Sequence, residues 1–259
     1  MTNDWMGRLR AGADGAPAAP RDALLAPAAA SPIGSIEPAL ARRIAAAGLP
    51  LRDTGQGWRV DAPLDPSLDR IARWLSTHLL DGRWRGELLA VTDAAGHVHG
   101  AIERAAVRPL GIATHAVHLV GQAADGAVWV QQRAFDKAVD PGRWDTLMGG
   151  LMAAGETVAQ TLERETWEEA GLRLAQLSDV HEFARLTVRR PLEAGGYMVE
   201  HMHCFAARVP EGLRPVNQDG EVVRFEALAR PQLALRLRSD AFTTEAALVL
   251  LRWLEQPAG

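Results

Sequence analysis

Residues 150–172 read GLMAAGETVAQTLERETWEEAGL, which is a loop, a helix and a stop. Thr157-x-x-Gln160 is a capping box, so a helix is expected to begin there. Gly171 suits a left-handed residue just past its end. At about 100° per residue, Glu165, Glu168 and Glu169 fall in one arc of the helix, roughly 100° wide. Val158, Leu162 and Ala170 mark an adjacent apolar arc that packs on a core. Carboxylates at i, i+3 and i+4 repel one another by a few tenths of a kcal/mol per pair. A divalent cation among them offsets that cost, and hard oxygen ligands on one helix face suit Mg²⁺ or Mn²⁺.

A Glu-Glu pair alone is the mark of a solvated helix face. The full pattern is more specific. Gly150, Glu156, Arg164, Glu165, Glu168, Glu169 and Gly171 stand at fixed spacings, a coincidence on the order of 10⁻⁸ per window from average residue usage. The stretch resembles the signature of the Nudix hydrolases, G-x5-E-x7-R-E-U-x-E-E-x-G-U, where U is a bulky aliphatic residue. One position departs, with Thr166 in place of the first U. The resemblance implies metal ligation by Glu165, Glu168 and Glu169 with the carbonyl of Gly150. It leaves the general base open among Glu169, Glu165 and Glu221. Arg164 is expected to orient a helix glutamate, or Glu156, through a buried ion pair.

The rest of the composition narrows the class. The chain has 259 residues, 47% hydrophobic and 23% charged, with a formal net charge of −4. That is globular and gives no general affinity for nucleic acid. A homodimer is compatible with it. Cys204 is the single cysteine, which excludes an internal disulfide and a multi-cysteine zinc site. No run of about 18 apolar residues exists, so no membrane partner is expected. The first residues lack the apolar core of a signal peptide, and the expected compartment is the cytoplasm. Of 28 basic residues one, Lys137, is lysine. A codon bias toward arginine explains the 27 others. It leaves open whether Lys137 is a survivor or a compact ammonium wanted at a phosphate.

Outward from the signature, the pattern is α/β. Residues 1–34, rich in Ala, Pro and Gly, are expected to form a loosely ordered arm, with short helices near Trp5–Leu9 and Asp22–Leu25. Residues 35–112 read as a small α/β domain. It has a helix from Ile36 to Ala47, a short strand from Gly57 to Val60, and a helix capped at Asp65-Pro66 and ending near Gly82. A hairpin, Glu87–Thr92 with His97–Glu103, turns about residues 93–96. His97 and His99 share a face but lack a third ligand. Residues 113–259 hold strands at Thr114–Gln122, Ala127–Arg133, Val180–Arg190, Tyr197–Val209 and Glu221–Leu228, and helices at Pro231–Leu237 and Thr244–Leu254. The segment from Ala134 to Thr146 reads as a loop. The expected architecture is an α/β/α sandwich with a mixed sheet, which the family resemblance also implies.

Further segments resemble one subfamily: WRGELLAV (84–91), IERAAVRPLGIATHAVHLVG (102–121), WVQQRAFDKAVDPGRWDTLMGG (129–150), DGEVVRF (219–225) and ALVLLRWL (247–254). They look like the two-domain, thiamine pyrophosphokinase-related Nudix proteins. That resemblance implies a diphosphatase trimming thiamine diphosphate, or its oxo and oxy analogues, to the monophosphate. Residues 146–150, TLMGG, depart slightly from the subfamily's pattern there. Arg133 and Lys137 would flank the phosphate entrance, with Lys137 at the subfamily's own lysine. Trp144 and Trp167 are candidates to stack on the substrate ring, and Trp84, Arg85 and Glu87 to close over its organic end. Glu200, His201 and His203 lie on one strand, and Cys204 reads as a small core residue. Three other readings remain beside this one. One is a diphosphatase for ADP-ribose or a dinucleotide. A second is a binding module without catalysis, although the signature glutamates are intact. The third, isopentenyl diphosphate isomerase, needs a cysteine near the glycines, and Met148-Gly149-Gly150 has none.

Overall fold

The computed structural model describes residues 4–27, 31–193 and 195–256. Parts of the expected N-terminal arm (1–3 and 28–30) and Ala194 in the expected turn lie outside them. The elements in chain order begin with α1 (Asp4–Ala13), β1 (Asp22–Leu25), β2 (Gly34–Ile36), α2 (Pro38–Ala46), β3 (Leu51–Asp53), β4 (Trp58–Val60), α3 (Leu64–His78), β5 (Leu88–Thr92) and β6 (Val98–Glu103). There follow β7 (Thr114–Ala123), β8 (Val128–Arg133), β9 (Trp144–Asp145), β10 (Met148–Leu151), α4 (Val158–Ala170), β11 (Ser178–Pro191), β12 (Tyr197–Val209), β13 (Val222–Leu228), α5 (Arg230–Arg238) and α6 (Thr244–Leu254).

The N-terminal α/β region is a four-stranded sheet ordered β2-β1-β4-β3, with the β5–β6 hairpin beside it. Leu68, Ile71 and Leu75 recur at helical spacing on α3 and are buried with Leu24, Ile36, Ile44, Leu89 and Ile102. Two expectations are corrected here. Asp22–Leu25 is a strand, not a helix: Leu24 is buried and pairs with Gly34 on one side and Trp58 on the other. A four-residue segment takes its conformation from its partners, because so short a helix does not pay for its own nucleation. Asp65 does not cap α3, which starts one residue earlier with Pro63 at the cap position. Its Oδ1 instead accepts a 2.9 Å bond from the Ala101 amide and ties the helix to the hairpin.

Residues from β7 onward form a seven-stranded sheet with the path β11-β12-β7-β8-β13, β10 pairing with β7 and β9 with β8. The β12–β7 pair is parallel and the others antiparallel, so the sheet is mixed. Residues alternate across each strand. Ala116, Val120, Val130, Met202 and Cys204 pack with α6 through Ala246, Val249 and Leu250. Val117, Leu119 and Ala207 pack with α4 through Leu162 and Ala170. Helices thus cover both faces in an α/β/α sandwich. Helix α1, expected near Trp5, lies against α6 and β11, with Ala13 buried among their side chains. Trp144–Asp145, read as loop, is a two-residue strand pairing with Gln131 and Gln132, too short to leave a pattern in the sequence. Among the described residues no helix is long and apolar enough to cross a membrane.

Candidate active site

Helix α4 is fixed at both ends by its own sequence. Thr157 accepts a bond from the Gln160 amide, and the Gln160 side chain accepts one from the Thr157 amide. Gly171 takes φ 63° at the other end, and a Cβ there would lie 2.4 Å from the Val216 carbonyl oxygen. Thr166, the departure from the aliphatic pattern, is fully buried and its hydroxyl donates to the Leu162 carbonyl at 2.6 Å. That bond satisfies the one polar group that the substitution brings into the core.

The arc of glutamates faces β10. Gly150 lies so close to Glu165 that a Cβ would stand 2.0 Å from its carboxyl carbon, and a Cβ on Gly149 would stand 2.7 Å from His118 Nδ1. A side chain at Gly150 would displace the Glu165 carboxyl, and one at Gly149 would displace the His118 ring on β7. Glu169 is 4% exposed. Its Oε2 accepts from the Gly149 amide at 3.0 Å and from Gln131 Nε2 at 2.7 Å. Glu168 is the most open of the acidic side chains on this arc, 43% exposed.

Arg164 holds the carboxylates together. Its Nε and Nη2 grip both oxygens of Glu156 at 2.7 and 2.8 Å. Its Nη1 reaches Glu165 at 2.7 Å and Glu168 at 3.0 Å, and Nη2 also donates to the Leu151 carbonyl at 3.2 Å. The five donors of one guanidinium are all used. Its hydrogen bonds, more than its charge, hold the Glu156 carboxyl down at about 2, with help from the Thr161 hydroxyl and the Ala153 amide. Burial does the opposite to the other two. Loss of water, with Glu168 and Glu221 nearby, raises Glu165 to about 7 against the pull of Arg164. Loss of water, then the charge of Glu165, raises Glu169 to about 8.

The sign of the linkage follows. In the unfolded chain both carboxyls ionise near 4.5, whereas in the fold they keep their protons up to about 7 and 8. The folded state therefore binds more protons across that interval, and its stability falls as pH rises through it. Their contribution to the melting temperature of the metal-free protein is expected to fall progressively from pH 5 to 8, against the opposite contribution of His115 and His201, which burial holds neutral more readily than in the unfolded chain. Adding Mg²⁺ at pH 7.5 is expected to release protons and raise the melting temperature. Calorimetry in buffers of different ionisation enthalpy reads both effects, and a flat profile without proton release would refute them.

Among the described residues, no three acidic or histidine side chains converge as they stand to hold a metal. Glu165 and Glu168 are turned toward Arg164 instead. The donor set still fits a hard divalent cation: it is all oxygen, it is partly shielded from water, and the missing side chain at Gly150 lets the Glu165 carboxyl lie against the strand that carries the Gly150 carbonyl. The residues that would hold such an ion are Glu165, Glu168 and Glu169, with the Gly150 carbonyl.

Lys137 and Glu221 are brought together as an ion pair at the edge of this cluster, and Glu221 is near enough to act on Glu165. Arg133 is turned inward. It meets Asp145 at 3.4 Å and the Val139 carbonyl at 3.3 Å, and so holds the loop that carries Lys137. Trp144 is buried with Arg224 and Arg236 against its ring, which leaves it no face for a substrate. Trp167 is stacked with Arg173. Trp84 lies under the Arg73 guanidinium, Glu87 accepts from Arg104, and the Arg85 backbone amide donates to Glu103, all within the N-terminal region. Glu200 is buried in a pair with Arg108 and Thr114, and His201 and His203 bond to Thr187 and Glu182. Cys204 is a core residue, its thiol raised to about 12 by burial. His97 and His99 both bond to Asp93 in the hairpin turn. The sequence reading missed Gln131 and Asp145. Both are buried polar side chains; Gln131 opens the polar run Gln131-Gln132-Arg133 and Asp145 sits in a segment read as loop, so neither carried a local signal.

The NUDIX domain model matches residues 112–248, more than half of the 259-residue chain. The chain belongs to the Nudix family. Nudix hydrolase 24, chloroplastic, of Arabidopsis thaliana is 29% identical over 157 residues, covering 59% of this chain and 43% of that protein. Nudix hydrolase 20, chloroplastic, of the same plant is 29% identical over 157 residues, covering 59% of this chain and 42% of the relative. The chain thus spans less than half the length of these relatives. The structure of DR0079 from Deinococcus radiodurans superposes with a TM-score of 0.53 at 23% identity, over 64% of this chain and 99% of that one. At that identity the likeness shows the fold alone.

Proposed function

We propose that this protein is a metal-dependent diphosphatase for a small molecule of the form X-diphosphate, with thiamine diphosphate or its oxidised analogues as substrate. The observation that carries the chemistry is the pair Glu165–Glu169 against Gly149-Gly150, with Glu165 tied through Arg164 to Glu156 and Glu169 held by Gln131 and the Gly149 amide. Water attacks a phosphorus atom, the bridging P–O bond breaks, and inorganic phosphate and X-monophosphate leave. A divalent cation held by these carboxylates supplies neutralisation of the diphosphate's charge. Glu169 has its Oε2 filled by two donors, Gln131 and the Gly149 amide, which turns Oε1 toward the site and supports Glu169 as acceptor of the water's proton. The substrate assignment is supported by the subfamily segments, above all by Lys137 on the loop beside the glutamates.

The test is phosphate release with Mg²⁺ or Mn²⁺ from thiamine diphosphate, oxythiamine diphosphate, ADP-ribose, NADH and isopentenyl diphosphate, each repeated with EDTA. Metal-dependent preference for the thiamine compounds supports the whole reading. Preference for ADP-ribose or NADH keeps the chemistry and discards the substrate. Tight binding without turnover would make the protein a binding module.

Lys137 is expected to exchange Glu221 for the terminal phosphate of the substrate. A charge-assisted bond of that kind is worth about 1.5–3 kcal/mol. Lys137→Ala should therefore lower kcat/KM by roughly 10-fold or more, mostly through KM, and Lys137→Arg should recover only part. Unchanged steady-state kinetics in Lys137→Ala would remove this residue from the site.

A further inference from the structure

We infer that Gln131 is a positioning residue which fixes the oxygen that Glu169 presents to the reaction. The inference rests on the diphosphatase reading above, and deepens it.

Gln131 lies in strand β8 and is 1% exposed. Its Nε2 donates to Glu169 Oε2 at 2.7 Å, and the Gly149 amide donates to the same oxygen at 3.0 Å. Both donors converge on Oε2. A carboxylate gripped in this way does not turn over, so Oε1 alone is left for a cation or a proton. When Glu169 is ionised the amide must present its N–H, because a reversed carbonyl oxygen would face the carboxylate with lone pair against lone pair. The strand backbone on which Gln131 sits is held from both sides, by Asp145 on β9 and Phe225 on β13.

The other end of the amide argues that its value lies in Glu169. Gln131 Oε1 is buried and has no donor among the described protein groups. A buried acceptor left without a partner costs about 1–3 kcal/mol. An apolar side chain of similar length would fill the same volume without that cost. A glutamine here makes physical sense as a donor to Glu169, and filler would be apolar. Outer partners that orient a metal-binding side chain commonly change metal affinity or activity by about 10–100-fold when removed.

The test uses Gln131→Met and Gln131→Leu, two apolar variants of different shape, in the full chain. Melting temperature, Mn²⁺ affinity by electron paramagnetic resonance, kcat and KM are measured for each. The expected result is a kcat lower by roughly 10–100-fold with KM within about twofold, and Mn²⁺ binding weakened by roughly 10-fold or more. A filler role would change melting and leave these unchanged. The same substitution is then made in Glu169→Gln. There Gln131→Met should no longer alter Mn²⁺ affinity, because the residue through which it acts has lost its charge. Wild-type kcat and wild-type Mn²⁺ affinity in whichever variant folds better would overturn the inference. So would an unchanged effect of Gln131→Met in the Glu169→Gln background. If the wild-type protein releases phosphate from no diphosphate, the functional reading fails by itself, and Mn²⁺ affinity still decides the role of Gln131.

Discussion

Glu169→Gln is expected to lower turnover by at least about a hundredfold, as for loss of a metal or base role, while the protein folds as well as before or better. The second half of that result distinguishes a functional carboxyl from a structural one. Glu169 is buried beside Glu165, and its carboxyl is raised to about 8 because the ionised form lacks water. Ionising it at pH 8 therefore works against the fold. Glutamine keeps an oxygen for the Gln131 and Gly149 donors and removes the charge. The metal-free variant should melt at an equal or higher temperature at pH 8, with a flatter pH profile. Glu168→Gln should lose activity to a similar degree but shift stability little, since its side chain is 43% exposed and, among the described residues, bonds to Arg164 alone. Phosphate release and melting curves at pH 6 and 8 check both variants. Near-wild-type turnover in both would remove the metal and base roles together.

The helix that carries these residues was legible because its instructions are local. The capping box, the terminal glycine and the spacing of Leu162 and Ala170 act over one or two turns, and all appear where the sequence puts them. The long strands were legible for the same reason, since one buried face imposes alternation. What could not be read depends on partners distant in the chain. Asp22–Leu25 becomes a strand only because Trp58 and Gly34 arrive beside it. Asp65 looks like a cap until the Ala101 amide is placed next to it. Gln131 stands 38 residues from Glu169, and nothing local marks it as that residue's donor. Lys137 was singled out by its rarity, yet its pairing with Glu221 across 84 residues had no trace in either segment. Side-chain chemistry within one helix is written in spacing, whereas chemistry across a sheet is written in topology.

Arg164→Ala should be the most destabilising single change in the site. The guanidinium carries five hydrogen bonds, to the carboxylates of Glu156, Glu165 and Glu168 and to the Leu151 carbonyl. Removing one partner of a buried charge network costs about 3–5 kcal/mol. Arg164 is 32% exposed, so solvent screening lowers the expectation to about 2–4 kcal/mol. For a domain of this size that is a fall of roughly 5–15 °C in melting temperature. The pH dependence has a definite sign. Glu156 is held at about 2 in the fold, so its share of stability is present above its ordinary value of 4.5 and lost as pH falls through 2. Without Arg164 that share disappears, and the loss relative to wild type should be larger at pH 6 than at pH 3. Arg164→Lys should recover little, because a point charge with three donors cannot grip Glu156 through two oxygens and reach Glu165 as well. Millimolar Mg²⁺ should restore part of the stability, since it can neutralise Glu165 and Glu168, but Glu156 lies on the far side of the guanidinium. An Arg164→Ala protein that melts like wild type in EDTA would show that the carboxylates find water or one another without it, and would separate the metal site from the ion-pair network altogether.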